Sequence, residues 1–278
     1  MIKYQLRDGH TFYMTEDQLE AEGGVPPFLK ELSILHLLRA IGRREYTFVE
    51  VGAFIGTYSI RLADHYGQVI AFEPNPNNYE ILKRNIEENG KKNVRAYDIA
   101  LSDTDGEAVL HLRGPQSSFF GTHAHREAIT VKVARMDGII DKADVVKIDC
   151  EGAETLVVKG MDKIIHLHHP TIVIEHHELR GFNRETIGPI KNILKPLGYI
   201  MLEVGEFHRA YYHPSRPREE LRLLLARHIV CHCLRNLATG RPWYHGLPYN
   251  WWWGMSLLDF MAEIENHVIE EEEWLKLV

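Results

Sequence analysis

The sequence predicts an α/β fold organised around a doubly wound, mostly parallel β-sheet. Beyond residue 45, short runs of apolar and β-branched residues alternate with segments of helical periodicity, which is the order typical of parallel sheets. One helical segment begins with Asn75 and Pro76 and stops at Gly90, as helix-end chemistry favours. A glycine-containing turn also follows the first of these strands, where such sheets bind their ligands.

The first 44 residues predict a β-hairpin and a helix that precede this sheet. Asp8-Gly9 separates two runs of alternating polar and apolar residues, which favours a tight turn between paired strands. After Pro26-Pro27, apolar residues recur at helical spacing. We therefore expect residues 1–44 to form an N-terminal addition to the central domain.

Residues 45–205 predict the central domain, in which strands and helices alternate. The strands are expected at residues 46–51, 68–72, 94–101, 145–148, 171–174 and 199–203. The helices are expected at residues 57–66, 76–89, 153–159 and 184–194. An additional antiparallel pair is expected as an insertion at residues 107–112 and 129–135.

The C-terminal part, residues 206–278, predicts an extension of two helices around an aromatic segment, which reads RPWYHGLPYNWWWG over residues 241–254. The rings of Trp251, Trp252 and Trp253 offer flat apolar faces to a sugar. They would serve equally well to pack the last helix or to contact a second copy of the chain. Acceptor binding and homodimer formation are therefore the two alternatives for this extension.

The composition is that of an ordinary globular protein, with 45% hydrophobic and 26% charged residues. Lys and Arg number 32 against 39 Asp and Glu, giving a net charge of −7. This balance argues against a nucleic-acid partner, because proteins that track phosphates usually carry a basic excess. We expect no signal peptide and no membrane span. Three cysteines are too few for a disulfide framework, so we expect a cytoplasmic protein.

The turn after the first strand of the domain indicates a nucleoside cofactor. Gly52 and Gly56 let the backbone bend sharply and approach a ligand, while Glu73 ends the next strand and can accept both ribose hydroxyls. Phe54 replaces the second glycine of the dinucleotide fingerprint. Glu50 would repel a diphosphate and attract an ammonium group. The pattern therefore favours S-adenosylmethionine over NAD.

Four segments resemble the FkbM family of S-adenosylmethionine-dependent methyltransferases, which mostly methylate hydroxyl groups of sugars and other natural products. These segments are VEVGAFIGTYS at 49–59, AFEP at 71–74, ALSD at 100–103 and KIDCEGAE at 147–154. The resemblance covers roughly residues 45–205 and implies a Rossmann-like class I methyltransferase fold. It departs from the family at Glu50, where the family usually has Asp.

The resemblance also implies which residues hold the methyl donor. The residues expected to contact it are Glu50, Gly52, Ala53, Gly56, Tyr58 and Ser59, with Glu73 on the ribose. Ala100 follows the third strand, where the adenine ring is expected.

Charged residues follow two further strands, and we expect them to form the catalytic centre. Asp149 follows one strand, and Glu175 and His176 follow the next. A hydroxyl group is a poor nucleophile at neutral pH, so methyl transfer to it needs a base or a metal. Asp149, Glu175 and His176 could bind Mg²⁺ or Mn²⁺, an arrangement that resembles in position the metal site of catechol-type O-methyltransferases. The alternative without a metal makes His176 or Asp149 the general base.

The sequence therefore predicts an S-adenosylmethionine-dependent O-methyltransferase that acts on a hydroxyl group of a sugar, a glycan or a glycosylated small molecule. A peptide or lipid acceptor stays open at this level. An NAD-dependent oxidoreductase is the alternative enzyme class, and Phe54 and Glu50 disfavour it.

Overall fold

The computed structural model describes residues 1–112, 127–177, 186–205 and 207–216. The chain divides into two compact units, residues 1–222 and 223–278. All described residues lie in the first unit. The aromatic segment and both predicted C-terminal helices lie outside the described residues.

The described residues form alternating strands and short helices, as the sequence predicts. The strands are β1 (Ile2–Gln5), β2 (Thr11–Met14), β3 (Thr47–Val51), β4 (Gln68–Phe72), β5 (Val94–Tyr97), β6 (Ala100–Leu101), β7 (Gly106–Leu112), β8 (Glu127–Ala134), β9 (Val145–Ile148), β10 (Thr171–Glu175), β11 (Ile200–Glu203) and β12 (His208–Tyr212). The helices are α1 (Glu16–Ala21), α2 (Leu32–Ile41), α3 (Thr57–Leu62), α4 (Pro76–Glu88), α5 (Glu154–Lys159), α6 (Asp162–His168) and α7 (Ile187–Leu194).

The central sheet has the strand order β11-β12-β10-β9-β3-β4-β5. From β5 to β10 all neighbouring strands are parallel, and only β12, between β10 and β11, runs against its neighbours. Strands β3, β9 and β10 are buried along their whole length, which is why they read as nearly continuous apolar runs. The predicted α/β fold with a mostly parallel sheet is confirmed.

The structure differs from the sequence prediction at two places in the sheets. The strand expected at residues 94–101 is divided: β5 belongs to the central sheet, whereas β6 pairs with β8 in a separate three-stranded sheet. In that second sheet β7 and β8 are antiparallel, as expected of the insertion. Strand β12 was not predicted, and it extends the central sheet beyond residue 205.

The N-terminal hairpin is fixed to helix α4 by buried polar contacts. The side-chain amide of Asn85 accepts a hydrogen bond from Tyr13 N at 2.7 Å and donates one to Ile55 O at 2.9 Å. Phe12 and Phe28 pack beside them in a small apolar cluster that also contains Ile55. These contacts hold the hairpin against α4 and the turn after β3.

Within the described ranges, no helix combines the length and the apolar character that crossing a bilayer requires.

The strand order reverses between β3 and β9, and the backbone is tightly packed there. The chain passes from β3 through β4 to β5, and returns to β9 on the opposite side of β3. In open α/β sheets this crevice, beyond the carboxyl ends of the strands, is the ligand site. Gly52 has φ +80°, and a Cβ added there would lie 1.8 Å from the Asp149 carbonyl oxygen. Gly52 is therefore required both by its backbone conformation and by the close approach of the chain after β9.

We expect Gly52→Ala to lower the free energy of unfolding by at least about 2 kcal/mol, because backbone strain and a steric clash add together. Gly9→Ala is the matched control: Gly9 has φ +87°, but nothing lies within 4 Å of its added Cβ. Gly9→Ala should lower the free energy of unfolding by only about 1 kcal/mol, because backbone strain is its only cost. Urea unfolding measures both variants, and equal losses would contradict the close approach at Gly52.

Candidate active site

A buried lysine lies at the centre of the crevice between β3 and β9. Lys147 is only 1% exposed, and its Nζ lies 3.1 Å from Asp149 Oδ2 and 4.6 Å from the centre of the Tyr58 ring. Burial opposes the charge on Lys147, but nearby carboxylates, Asp149 and Glu31 foremost, raise its pKa above the ordinary value. Lys147 is therefore an ammonium ion that neutralises a group of converging carboxylates.

Two of these carboxylates, Glu31 and Glu175, come from distant parts of the sequence, and each lies near the Nε2 atom of His208. Glu31, just before α2, accepts a hydrogen bond from the Tyr58 hydroxyl at 2.8 Å. Its carboxylate also lies 3.7 Å from Nε2 of His208, which in turn lies 3.7 Å from the carboxylate of Glu175. Burial opposes ionisation of Glu31, but His208 and Lys147 hold its pKa below the ordinary value.

A second group forms around His177, which is fully buried beside Asp149. Its Nδ1 lies 2.7 Å from Glu154, and its Nε2 lies 3.2 Å from Glu151 and 3.5 Å from Asp149. Burial would lower the pKa of His177, but hydrogen bonds to Glu151 and Glu154 raise it to about 11. His177 is therefore an imidazolium ion that holds the loop after β9 in place.

His176 lies apart from these two groups. It is fully buried, and its ring nitrogens contact the Thr186 hydroxyl at 2.8 Å and the Tyr211 hydroxyl at 3.1 Å. Burial, with a smaller contribution from the charge of Arg209, lowers the pKa of His176 to about 3. The structure therefore gives His176 the contacts of a core hydrogen-bonding residue, and its expected role as a metal ligand or general base stays a prediction.

The expected metal-binding set of Asp149, Glu175 and His176 does not fit the structure. In the described part of the chain, the residues with converging ligand atoms form two other groups: Asp149 with Glu151 and His177, and Glu31 with Glu175 and His208. Both ring nitrogens of His177 already face carboxylates, Nδ1 that of Glu154 and Nε2 those of Glu151 and Asp149. In the second group the Lys147 ammonium already supplies positive charge close to Glu31 and Glu175. The carboxylates thus have cationic partners within the protein.

Two of the expected donor-binding residues position the turn after β3. Glu50 is 2% exposed, and its carboxylate accepts hydrogen bonds from the backbone N–H of Ser59, at 2.8 Å, and from the Ser59 hydroxyl. Burial raises the pKa of Glu50 to about 7, although Lys147 and Ser59 oppose the shift. Glu50 therefore ties the end of β3 to the start of α3.

Glu73 is also held by the turn. Its carboxylate accepts hydrogen bonds from the backbone N–H groups of Phe54, at 2.8 Å, and Asn75, at 2.9 Å, and from the side chain of Asn78 at 3.3 Å. Burial raises the pKa of Glu73 to about 7, and these hydrogen bonds oppose the shift. Because a carboxylate offers about four acceptor positions, these contacts leave capacity for a ribose hydroxyl.

The remaining expected donor residues occupy buried positions around this turn. Ala53 packs against Ala71, and a Cβ on Gly56 would lie 2.5 Å from Leu82. Tyr58 is 7% exposed, and its ring is covered by the Lys147 ammonium. Ala100 packs in the three-stranded sheet and not in the central sheet.

Strained backbone is concentrated at this site. The described residues include four non-glycine residues with positive φ, and three of them flank the site: Glu31 at 52°, Phe54 at 50° and Glu151 at 52°. Each such residue costs about 1–3 kcal/mol, which persists only where the surrounding contacts compensate. The contacts of Glu31 with Tyr58 and of Glu151 with His177 are compensation of this kind.

Sequence reasoning missed four residues of the site: Glu31, Lys147, His177 and His208. Lys147 did carry a signal, because a lysine within an apolar strand is tolerated only when it is paired with negative charge. Glu31 and His208 carried none, because they lie in segments without a recognisable motif.

We expect the two adjacent histidines, His176 and His177, to differ in protonation state at neutral pH. In an NMR titration from about pH 5 to about pH 9, His176 should stay neutral and His177 should stay protonated. Since the folded-state pKa of His177 lies above its ordinary 6.5, its contribution to stability is full below pH 6.5 and is lost as pH rises towards about 11. A midpoint near 6.5 for His177 would contradict the carboxylate contacts.

Residues 50–201, more than half of the chain, match the methyltransferase FkbM domain. Hexuronic acid methyltransferase AglP from Haloferax volcanii is 26% identical to the chain over 175 residues, which are 60% of this chain and 72% of that protein.

Two solved structures are also similar. For methyltransferase FkbM from Methylobacillus flagellatus the TM-score is 0.45 and the identity 19%, covering 62% of this chain and 44% of that one. For precorrin-6y C5,15-methyltransferase from Geobacter metallireducens the TM-score is 0.42 and the identity 13%. The similarity covers 66% of this chain and 86% of that one. This chain thus spans less than half of the first of these proteins. From the match over residues 50–201, the chain belongs to the methyltransferase FkbM domain family.

Proposed function

We propose that this chain transfers a methyl group from S-adenosylmethionine to a hydroxyl group of a sugar or a glycosylated small molecule. Membership of a methyltransferase family supports the reaction class. The similarity to a protein named as a hexuronic acid methyltransferase supports a sugar acceptor. The same family membership argues against an NAD-dependent oxidoreductase.

The position of Asp149 is the observation that carries the proposal. Its side chain lies at the reversal of strand order and keeps 26% of its surface exposed, whereas Lys147 and His177 behind it are buried. Lys147 and His177 orient the carboxylate from both sides, at 3.1 and 3.5 Å. Asp149 is therefore held at the edge of the sheet, with part of its surface open to an incoming substrate.

In the proposed reaction the hydroxyl oxygen of the acceptor attacks the methyl carbon of the sulfonium donor. The C–O bond forms while the C–S bond breaks, and S-adenosylhomocysteine leaves with the electron pair of the broken bond. The hydroxyl proton passes to the Asp149 carboxylate, which acts as general base and later releases the proton to water. Rigid positioning of the two substrates supplies further rate enhancement.

The methyl donor is proposed to lie along the turn after β3. Glu73 would accept a ribose hydroxyl through the acceptor position that Phe54, Asn75 and Asn78 leave available. Glu50 keeps the turn in shape through Ser59 and adds negative charge near a cationic donor.

Glu73→Gln should weaken the binding of S-adenosylhomocysteine by about 10- to 100-fold, since hydrogen bonds to charged groups contribute about 1.5–3 kcal/mol. Glu80→Gln is the control, because Glu80 is 69% exposed on helix α4. Calorimetry measures both dissociation constants. An unchanged constant for Glu73→Gln would place the ribose elsewhere.

Asp149→Asn should reduce turnover by about 100-fold or more, because general bases contribute about 10²- to 10⁴-fold. The assay uses donor carrying a labelled methyl group and a panel of methyl glycosides, with peptides and lipids as alternative acceptors. Asp141→Asn, on the exposed loop before β9, is the matched control.

Donor binding should stay unchanged in both aspartate variants. Full turnover in Asp149→Asn would remove Asp149 from the reaction, and methylation of peptides or lipids but of no glycoside would contradict the proposed acceptor.

A further inference from the structure

In this site two of the negatively charged side chains are partly exposed, whereas the basic side chains beside them are buried. Glu31 and Asp149 each keep 26% of their side-chain surface exposed. The cations and potential cations beside them are nearly inaccessible, with side-chain exposures of 2% for Lys147, 0% for His177 and 5% for His208. In the described part of the site, an incoming acceptor therefore meets carboxylates first.

Glu31 belongs to a part of the chain that the family match does not cover. It lies before α2, outside residues 50–201, and its backbone has the strained φ of 52°. The Tyr58 hydroxyl and His208 hold its carboxylate over the edge of the sheet. The N-terminal segment of this chain thus adds a negative charge to a site whose other carboxylates, such as Asp149 and Glu175, lie within the matched residues.

The cations behind the carboxylates are committed to partners in the protein. Lys147 contacts Asp149 and the Tyr58 ring, and His177 contacts three carboxylates. An acceptor that carries its own carboxylate would be repelled by Glu31 and Asp149, and the described cations that contact these two carboxylates are at most 5% exposed. The Lys30 ammonium is more exposed, but it is paired with Glu22. An uncharged hydroxyl group meets no such repulsion and can donate a hydrogen bond to either carboxylate.

We propose that Glu31 is a specificity-determining residue that makes this site select uncharged sugar acceptors over hexuronic acids. The proposal rests on the proposed function, since it concerns the acceptor of the same reaction. The proposed acceptor preference of this chain differs from the acceptor in the name of its relative, the hexuronic acid methyltransferase AglP.

The test compares methyl β-D-glucopyranoside with methyl β-D-glucopyranosiduronate, which differ at one carbon. Binding of each to the complex with S-adenosylhomocysteine is measured by calorimetry, and turnover of each with labelled donor. The wild-type protein should prefer the uncharged glycoside by about tenfold or more in both measurements. Raising the salt concentration from about 20 mM to about 500 mM should reduce that preference, because salt screens partly exposed charges.

Glu31→Gln should narrow the preference by about threefold or more, because it removes the charge at nearly constant volume. Glu31→Asn should do the same, and asparagine tolerates the left-handed backbone that this position requires. Glu16→Gln, on the exposed face of α1, is the control and should leave the preference unchanged. Affinity for S-adenosylhomocysteine, measured for each variant, confirms that its donor site is intact.

The outcomes separate this inference from the proposed function. Equal or better use of the glucuronide by the wild-type protein would overturn the inference and still support sugar methylation. An unchanged preference in both Glu31 variants, with donor binding intact, would also overturn it. If neither glycoside binds while S-adenosylhomocysteine does, the sugar acceptor itself is wrong and the inference fails with it.

Discussion

The ammonium group of Lys147 is the charge on which the carboxyl edge of the sheet depends. An ammonium ion taken out of water is costly unless opposite charges surround it. Carboxylates from separate elements meet that need: Glu31 before α2, Glu50 in β3, Asp149 after β9 and Glu175 at the end of β10. The site is therefore arranged around a buried positive charge. Removal of any one carboxylate would change the electrostatic environment of Lys147 and of the other carboxylates.

This dependence also explains why the N-terminal segment is fastened so firmly to the domain. Glu31 accepts a hydrogen bond from Tyr58 and interacts electrostatically with Lys147, and the hairpin that precedes it is anchored to α4 through Asn85. The strained backbone of Glu31 is stable only while its carboxylate keeps those partners. The packing of the hairpin and the electrostatics of the site therefore depend on each other, although the residues involved lie in separate segments of the sequence.

Much of the framework could be predicted from sequence because it depends on local patterns. Buried parallel strands read as continuous apolar runs, which is how β3, β9 and β10 were recognised. The turn after β3 and the carboxylates Glu50 and Glu73 lie within one strand–turn–helix unit and the strand that follows it. Their proximity follows from the short connections. The division of the strand at residues 94–101 depends on distant pairing partners, which no local pattern reveals.

By itself, the sequence determined the α/β class, the glycine-containing turn after β3 and the position of Asp149 at a strand end, since each follows from hydrophobic periodicity and short-range geometry. Only the tertiary structure decided which side chains join Asp149. His176 and His177 are neighbours in sequence just after β10, yet one faces Thr186 and Tyr211 and the other faces carboxylates, because different distant elements pack around each ring. Glu31 and His208 lie far from Asp149 along the chain, and they converge with its neighbours only through packing across the sheet edge.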